Sequence, residues 1–425
     1  MHQNKKNVTL YFLMVITMTS FLCDKKNDTI TNSVKKINGT LETVNGVSII
    51  RLWGSHREMG YAYGYLLADE LTDVINEMLF DYLLENYSFE AVVDKMNQNI
   101  IWPSGYQEEM VAVIEGMKAK LGTLPVITHK SIRSGSMPIN TDMLAVLNSS
   151  RDLVDMDGGC SAFAVWGDGT DDGQTRAGGN SDRAYDGDIL SKYTIIVVRK
   201  PDYGLSSVTT FFISALGFSR GMNEKGVICC PTGVTTGPKS TGQCSPLVAL
   251  RDIMEQTESG PDMVDDIIHF FDTNRRCGAN SILFAQGKPF WPNPTDDQMA
   301  VIIECDYNGV TGRLPSYNSQ INTPFETAII TTNEYLQREG CLHSENSAQR
   351  YAKMSQVFQN SRINSLTDMQ TVLQASQQTN TIISLYAEPD SKKIHVAFHK
   401  TGDPPSPSMA PIPFTWDELF SPVPE

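Results

Sequence analysis

The chain has 425 residues, with 34 Lys and Arg against 49 Asp and Glu, so its formal net charge is −15. An acidic chain repels the phosphate backbone of nucleic acids, and no Lys/Arg cluster longer than a pair interrupts this balance. We therefore expect no nucleic-acid partner. With 40% hydrophobic and 20% charged residues, the composition is that of a globular protein with one large domain or two smaller ones.

The N-terminus predicts export. Lys5 and Lys6 precede a nearly uninterrupted apolar run that is shorter than the roughly 20 residues needed to span a bilayer. This pattern is typical of a signal peptide over residues 1–22. Cys23 follows at the place where a bacterial lipoprotein carries its acylated cysteine, so residues 23–50 are expected to form a tether or linker. A lipid anchor at Cys23 and simple secretion both remain open; either way the protein would be periplasmic, secreted or attached to the cell envelope.

The cysteines and histidines show no metal-binding spacing. Eight cysteines are too few for a disulfide scaffold in a chain of this length, and neither Cys-x-x-Cys nor His-Glu-x-x-His occurs. Asp168–Gly173 lacks the glutamate that a calcium loop requires, because Gly179 stands at the twelfth position, and a hairpin turn is predicted instead. Cys229 and Cys230 lie in an apolar run and are predicted to be buried strand thiols. No metal and no organic cofactor are expected.

The periodicity of apolar residues changes near residue 158. From Arg57 to about Leu153 the spacing is helical, and helices are predicted around residues 89–99, 106–121 and 139–153. These helices are separated by prolines, so the first part of the chain is predicted to be helical throughout.

The second part is rich in strands. Segments with strand-like composition predict a meander of antiparallel strands, at 160–166, 175–180, 193–199, 206–214 and 226–230. Further helices are predicted at 246–258, 261–271, 347–360 and 366–377, and further strands at 281–285, 298–304, 326–331, 381–386 and 393–398. This order predicts antiparallel sheets covered by helix layers. The Pro-rich tail from Pro404 to Pro424 is expected to be irregular.

Cys160 stands at the head of a predicted strand, directly after Gly158 and Gly159. The glycines leave the preceding peptide bond sterically open. The Cys160 thiol could attack the Gly159 carbonyl, and hydrolysis of the resulting thioester would free a new N-terminus at Cys160. The freed α-amine has an ordinary pKa of about 7.7–8.0 and would serve as the base for the thiol without a histidine. A buried cysteine that only opens a β-strand is the alternative.

Several motifs in the second part resemble those of N-terminal-nucleophile (Ntn) hydrolases. The strand at Cys160 is followed in order by Gly178-Gly-Asn-Ser-Asp182, Gly221-Met-Asn-Glu-Lys-Gly226, Thr331-Thr-Asn333 and Ser347-Ala-Gln-Arg350. Together these motifs resemble the peptidase C45 family, that of acyl-coenzyme A:6-aminopenicillanic acid acyltransferase, and the related choloylglycine hydrolases. The resemblance implies an α+β fold, a four-layer αββα sandwich preceded by a helical pro-segment.

The same resemblance implies how the chain is divided. Residues 51–159 would be the pro-segment, which becomes the small subunit, and residues 160–425 the catalytic domain, which becomes the large subunit. Cleavage would fall between Gly159 and Cys160, and the two processed chains would stay associated.

The matching positions also imply site residues. Cys160 matches the nucleophile, and Asp182 matches the carboxylate that holds the new α-amine. Asn333 matches an asparagine near the amine or the oxyanion, and Arg350 an arginine that pairs with a carboxylate such as Asp182. Asn223 matches a residue of the family's turn, where we favour a structural role.

The implied activity is hydrolysis of a linear C–N amide, or transfer of its acyl group, through a thioester on Cys160. The substrate would be a small N-acyl amide. Gly179 stands where bile-salt hydrolases carry an arginine, which disfavours a bile-salt substrate, and backbone N–H groups near Thr232 or Gly233 are expected to bind the oxyanion. The alternatives are a bile-salt-hydrolase-like enzyme, an inactive surface-anchored binding protein on the same scaffold, and a cysteine hydrolase that uses a histidine such as His343.

Overall fold

A computed structural model describes residues 36–153, 159–183, 187–236, 245–274, 278–321, 323, 325–421 and 423. The expected signal peptide and Cys23 lie outside these residues. Within them, no helix is both long enough and apolar enough to cross a membrane.

The N-terminal segment is a β-hairpin followed by helices. Serine side chains fix two of the helix starts, because Ser55 and Glu58 form a capping box and Ser88 accepts a hydrogen bond from the backbone of Ala91. The elements are β1 (Gly39–Val44), β2 (Val47–Gly54), α1 (His56–Leu66), α2 (Ala68–Val74), a π-helix (Ile75–Leu83), α3 (Phe89–Asn99), α4 (Ser104–Leu121), β3 (Val126–Thr128), β4 (Ser136–Pro138) and α5 (Thr141–Leu153). The helices predicted in this part are confirmed. The prediction that the part is helical throughout is wrong, because β3 and β4 form a short antiparallel hairpin between α4 and α5.

The second part alternates strands and helices. The elements up to the last predicted strand are β5 (Cys160–Gly167), β6 (Gly173–Asp182), α6 (Gly187–Ser191), β7 (Thr194–Pro201), β8 (Ser207–Phe212), β9 (Arg220–Asn223), β10 (Ile228–Gly233), α7 (Pro246–Met254), α8 (Met263–Thr273), β11 (Asn280–Ala285), β12 (Ala300–Asp306), β13 (Gly309–Arg313), β14 (Ala328–Thr331), α9 (Glu345–Asn360), α10 (Leu366–Ala375), β15 (Thr381–Glu388) and β16 (Lys393–Phe398). The chain then forms β17 (Ile412–Thr415) and α11 (Trp416–Phe420).

These strands form two large sheets. The nine-stranded sheet has the order β1-β2-β7-β8-β9-β10-β11-β12-β13, and the six-stranded sheet has the order β14-β5-β6-β15-β16-β17. The predicted meander is therefore wrong in one respect: its first hairpin, β5-β6, belongs to the six-stranded sheet, whereas β7 to β10 belong to the other. Hydrophobic spacing identifies strands but does not assign them to sheets.

The two sheets pack face to face and carry helices on their outer faces. Apolar side chains of both sheets, among them Ala162 and Cys230, form the layer between them. Phe271 of α8 packs on Phe284 of β11 outside the nine-stranded sheet. Phe358 of α9 packs on Phe163 of β5 outside the six-stranded sheet. The predicted four-layer αββα arrangement is confirmed.

Two terminal segments differ from the prediction. Residues 23–50 were expected to be a tether, yet β1 and the first half of β2 lie within them, and β2 pairs in parallel with β7. Asn45 and Gly46 connect the hairpin with positive φ values of 51° and 81°, a backbone conformation that favours Asn and Gly. The Pro-rich tail was expected to be irregular, but it adds β17 to the edge of the six-stranded sheet, where proline is tolerated.

A buried ion network joins the N-terminal helices to the second part. The Glu109 carboxylate on α4 accepts hydrogen bonds of 2.9 Å from Arg251 on α7, and both side chains are buried. Burial opposes the ionisation of Glu109, but Arg251 and then His56 outweigh it and lower the pKa of the Glu109 carboxyl to about 2. Glu109 belongs to the predicted pro-segment and Arg251 to the predicted catalytic domain, so the pair links the two.

Candidate active site

The first hairpin of the six-stranded sheet brings the predicted nucleophile and the predicted carboxylate together. Cys160 opens β5 and lies opposite Ser181, the last residue but one of β6. Side chains alternate along a strand, so Cys160 and Ser181 face the nine-stranded sheet, whereas Asp182 faces the opposite side. Cys160 is 1% exposed and Asp182 is fully buried.

The Gly159 carbonyl is held at the same place. Its oxygen accepts a hydrogen bond of 2.8 Å from the backbone N–H of Asp182. A Cβ atom on Gly159 would lie 2.1 Å from the Gln378 amide nitrogen and 2.6 Å from Asp182 Oδ2. No side chain fits there without displacing both groups. The tight packing therefore explains why position 159 is a glycine, whether or not the chain is cleaved.

Two further residues fix the Asp182 carboxylate. Thr381 Oγ1 donates to Asp182 Oδ1 at 2.6 Å, and Gln378 Nε2 donates to Asp182 Oδ2 at 2.7 Å. Thr381 opens β15 directly opposite Asp182 in the sheet. Both residues were missed in the sequence analysis. Nothing in the local sequence indicates that a loop glutamine or the first threonine of a strand donates a hydrogen bond to a carboxylate far away in the chain.

Asn333 and Arg350 contact the backbone of Cys160. The backbone nitrogen of Cys160 donates to Asn333 Oδ1 at 2.8 Å. The Arg350 guanidinium donates to the Cys160 carbonyl oxygen at 2.7 Å and to the same Asn333 Oδ1 at 2.6 Å. The expected partner of Arg350, Asp182, is farther away, with 3.8 Å between Nη1 and Oδ2. Arg350 therefore bridges Cys160, Asn333 and Asp182, and its shortest contacts are to the first two.

Asn333 is itself held from two further directions. Its side-chain nitrogen donates to the Gly233 carbonyl oxygen at 2.6 Å, and its backbone nitrogen donates to Ser347 Oγ at 2.9 Å. Ser347 in turn donates to Thr332 Oγ1 at 2.8 Å. The Asn333 amide nitrogen is thus occupied, which leaves its oxygen to face the Cys160 nitrogen and Arg350. Thr232, near which oxyanion donors were predicted, uses its hydroxyl to bond carbonyl oxygens of neighbouring segments.

A second thiol lies near the predicted nucleophile. Cys230 on β10 is fully buried, and a Cβ on Gly179 would lie 3.3 Å from its Sγ. Burial raises the pKa of the Cys230 thiol to about 12; Arg220 opposes this rise and Cys160 adds to it, both to a smaller extent. At neutral pH Cys230 is therefore a protonated core thiol, which confirms the prediction of a buried strand cysteine.

Other sequence candidates lie outside this cluster of contacts. The His343 side chain is 77% exposed and contacts Glu334 at 3.2 Å, a surface position that offers little support for a catalytic pair with the buried Cys160. Asn223 Oδ1 accepts the backbone N–H groups of Lys225 and Val227, which confirms its structural role in the turn. In the part of the chain that the structure describes, no group of His, Cys, Asp and Glu is arranged to hold a metal ion.

No protein-family model matches the sequence, and no curated protein matches it. Among solved structures, the chain is similar to the Caenorhabditis elegans ortholog of N-acylethanolamine-hydrolyzing acid amidase, with 15% identity, a TM-score of 0.39, and coverage of 54% of this chain and 93% of that one. It is also similar to penicillin V acylase from Agrobacterium tumefaciens (12% identity, TM-score 0.37, 61% and 88% covered). A mutant conjugated bile acid hydrolase from Clostridium perfringens follows with 10% identity, a TM-score of 0.36, and 61% and 97% covered. With identities of 10–15% and TM-scores below 0.4, these similarities do not identify the chemistry of the site.

Proposed function

We propose that the chain is a self-processing amidase whose nucleophile is Cys160 and whose base is the α-amine of the same residue. The observation that carries this proposal is the environment of the Cys160 nitrogen. That nitrogen, 2.8 Å from Asn333 Oδ1, lies within a cluster formed by Asn333, Arg350 and Asp182. A cysteine with a histidine base would need an imidazole beside its sulfur, whereas here an amide oxygen is held on the Cys160 nitrogen itself.

Processing would be an intramolecular acyl shift. Cys160 Sγ attacks the Gly159 carbonyl carbon, a C–S bond forms, and the C–N bond to Cys160 breaks while the thiol proton passes to the departing nitrogen. The Asp182 N–H, at 2.8 Å from the carbonyl oxygen, would stabilise negative charge there. Water then hydrolyses the thioester, which leaves a carboxylate on Gly159 and a thiol and amine on Cys160.

The processed residue would then act on other amides by the same chemistry. The α-amine, with an ordinary pKa of about 7.7–8.0, takes the thiol proton and delivers it to the leaving amine of the substrate. The fixed carboxylate of Asp182 lies beside Gly159 and would keep the amine lone pair directed at the sulfur. Water or another amine would resolve the thioester, giving hydrolysis or acyl transfer.

The test is activity of the purified protein on a panel of N-acyl amino acids and β-lactam amides, with Cys160→Ala as the comparison. We expect amide cleavage by the wild type, and a labelled acyl group on Cys160 after acid quenching with a labelled substrate. Loss of amide cleavage in Cys160→Ala with retained folding supports the proposal. Equal cleavage by both proteins would contradict it, and so would a wild type that cleaves no member of the panel.

A further inference from the structure

Two buried arginines lie at the same end of the sheets as Cys160. Arg220 opens β9 and is 2% exposed, and Arg183 follows β6 and is 4% exposed. In the residues that the structure describes, neither guanidinium has a carboxylate within ion-pair distance, and the Nε atom of each is buried without a hydrogen-bond partner. Arg220 Nη2 donates to the Pro231 carbonyl oxygen at 3.0 Å, and Arg183 Nη1 donates to the Asp182 carbonyl oxygen at 3.1 Å.

Several other buried arginines have carboxylate partners, whereas the buried Arg199 has none among the described residues and donates to the carbonyl oxygens of Ala215 and Leu216. Arg251 pairs with Glu109, and Arg313 pairs with Glu304 at 2.9 Å. Burying a cation without a counter-charge is costly. Arg183 and Arg220 differ from Arg199 in lying at the nucleophile's end of the sheets, and among the described residues no carboxylate supplies their counter-charge, so an external anion would stabilise them there.

Strand register places Arg220 in the layer between the sheets, and a contact with an aromatic ring places Arg183 there. Arg220 lies opposite Thr210 on β8, and Phe212 is two residues further along the same face of that strand. The Arg183 guanidinium lies over the Phe212 ring, 5.7 Å from its centroid. Arg220 bonds the carbonyl oxygen of Pro231, which follows Cys230 in β10, and Cys230 Sγ lies close to Gly179 on β6, the strand that pairs with Cys160.

A third polar group points into the same layer. Ser181 lies directly opposite Cys160 on β6, and its hydroxyl is buried without a hydrogen-bond partner. A hydroxyl and two guanidiniums can together bind a carboxylate or a similar oxyanion through charge-assisted hydrogen bonds.

We propose that Arg183, Arg220 and Ser181 form a subsite for a negatively charged group of the substrate, next to the Cys160 thiol. This inference rests on the proposed function and narrows it: the substrate is an amide that carries a carboxylate or a similar oxyanion close to the bond that is cleaved. The charge belongs either to the amine part, as in an N-acyl amino acid, or to the acyl part, as in a glutaryl amide.

The first test does not require amidase activity. Iodoacetate and iodoacetamide differ in one charged group, and both alkylate thiols, so the ratio of their rates at Cys160, followed by peptide mass mapping, reports the local preference for an anion. We expect Arg220→Gln to lower the iodoacetate-to-iodoacetamide ratio about 10- to 100-fold, the usual worth of a hydrogen bond to a charged group. Arg183→Gln offers the same readout if Arg220→Gln does not fold.

The control is Arg176→Gln, a mostly buried arginine at the opposite end of β6 that pairs with Asp172 at 2.8 Å. This variant should keep the wild-type ratio. A ratio unchanged within twofold in both Arg220→Gln and Arg183→Gln would overturn the subsite. Failure of both reagents to reach Cys160 in the wild type would also overturn it, because a subsite beside the thiol must admit a two-carbon acid.

The second test uses turnover to decide which part of the substrate carries the charge. The kcat/KM values of an N-acylglycine and its glycinamide are compared, and so are those of a glutaryl amide and the corresponding neutral acyl amide. Arg220→Gln should abolish the preference for the anionic member of one pair, and an undiminished preference in both pairs would contradict a role of Arg220 in binding that charge. If the alkylation ratio responds to Arg220 but no amide is cleaved, the subsite stands and the proposed amidase function fails.

Discussion

The backbone N–H of Asp182 donates a 2.8 Å hydrogen bond to the carbonyl oxygen of Gly159. The backbone of Asp182 thus contacts the peptide bond that is expected to break. Its carboxylate lies beside the Gly159 Cα, where an added Cβ would come within 2.6 Å of Oδ2. One residue at the end of β6 would polarise the carbonyl before cleavage and hold the new amine after it.

Gly159→Ala should slow chain cleavage by at least an order of magnitude. The added methyl group would lie 2.1 Å from the Gln378 side-chain nitrogen, so the carbonyl or Asp182 has to move away from its present geometry. The measurement is the half-time of cleavage of newly synthesised protein on denaturing gels. Gln378→Ala in the same chain removes the nearest obstacle and should restore part of the rate.

The matched control for this variant is Gly260→Ala, where an added Cβ would meet nothing within 4 Å. It should be cleaved at the wild-type rate. Wild-type cleavage of Gly159→Ala itself would show that the tight fit around Gly159 has no bearing on processing.

Asp182→Asn should keep the fold and lower turnover by a factor of about 10² to 10⁴, the usual worth of positioned acid–base chemistry. Thr381 and Gln378 both donate to this carboxylate, and an amide in its place can accept only one of the two bonds. The measurement is kcat on the best amide of the panel, in protein that has been fully processed. Asp172→Asn, at the other end of the same strand, should change kcat little; unchanged kcat in Asp182→Asn would limit Asp182 to a structural role.

Arg350→Lys should also impair turnover, although it keeps the charge. The planar guanidinium bonds the Cys160 carbonyl and Asn333 Oδ1 at once, at 2.7 and 2.6 Å, and an ammonium group lacks this fork geometry. We expect kcat/KM to fall about tenfold or more. Arg362→Lys, which alters an exposed pair with Asp171, serves as the control, and equal losses in both variants would argue against a specific role of Arg350.

Glu109→Gln should destabilise the folded protein by about 3–5 kcal/mol, because it leaves Arg251 buried with less counter-charge. Folding lowers the pKa of Glu109 from 4.5 to about 2. The stability that Glu109 contributes is therefore complete above about pH 4.5 and is lost as the pH falls toward 2.

The measurement is the free energy of urea unfolding between pH 7 and pH 3, in Cys160→Ala protein so that the chain stays in one piece. The wild-type advantage over Glu109→Gln should shrink toward the acid end of this range. Glu115→Gln, whose carboxylate pairs with Arg57 at the surface, should change stability little. A pH-independent difference between wild type and Glu109→Gln would exclude ionisation of Glu109 as its cause.

The sequence predicted most helices, most strands and the layered fold, because these follow from local periodicity and turn residues. It also named Cys160, Asp182, Asn333 and Arg350, which the structure places within a few ångströms of one another. Their catalytic roles remain predictions.

What the sequence did not reveal depends on strand register between distant segments. Thr381 meets Asp182 because β15 pairs with β6 in one register, and Cys230 of β10 lies near Gly179 of β6 because two separate sheets face each other. Neither relation leaves a local pattern. The hairpin of β1 and β2 is different, because Asn45-Gly46 between alternating apolar residues was a readable turn signal within the segment assigned to the tether.

The most direct test of the central claim is the intact mass and N-terminal sequence of purified wild-type protein under denaturing conditions. The account predicts two pieces that co-purify in native buffer, one of which begins at Cys160, and a single uncleaved chain in Cys160→Ala. Cleavage should proceed at a rate independent of protein concentration, because the attacking thiol belongs to the same chain. A wild-type protein that stays in one piece and still hydrolyses an amide at full rate would contradict the account.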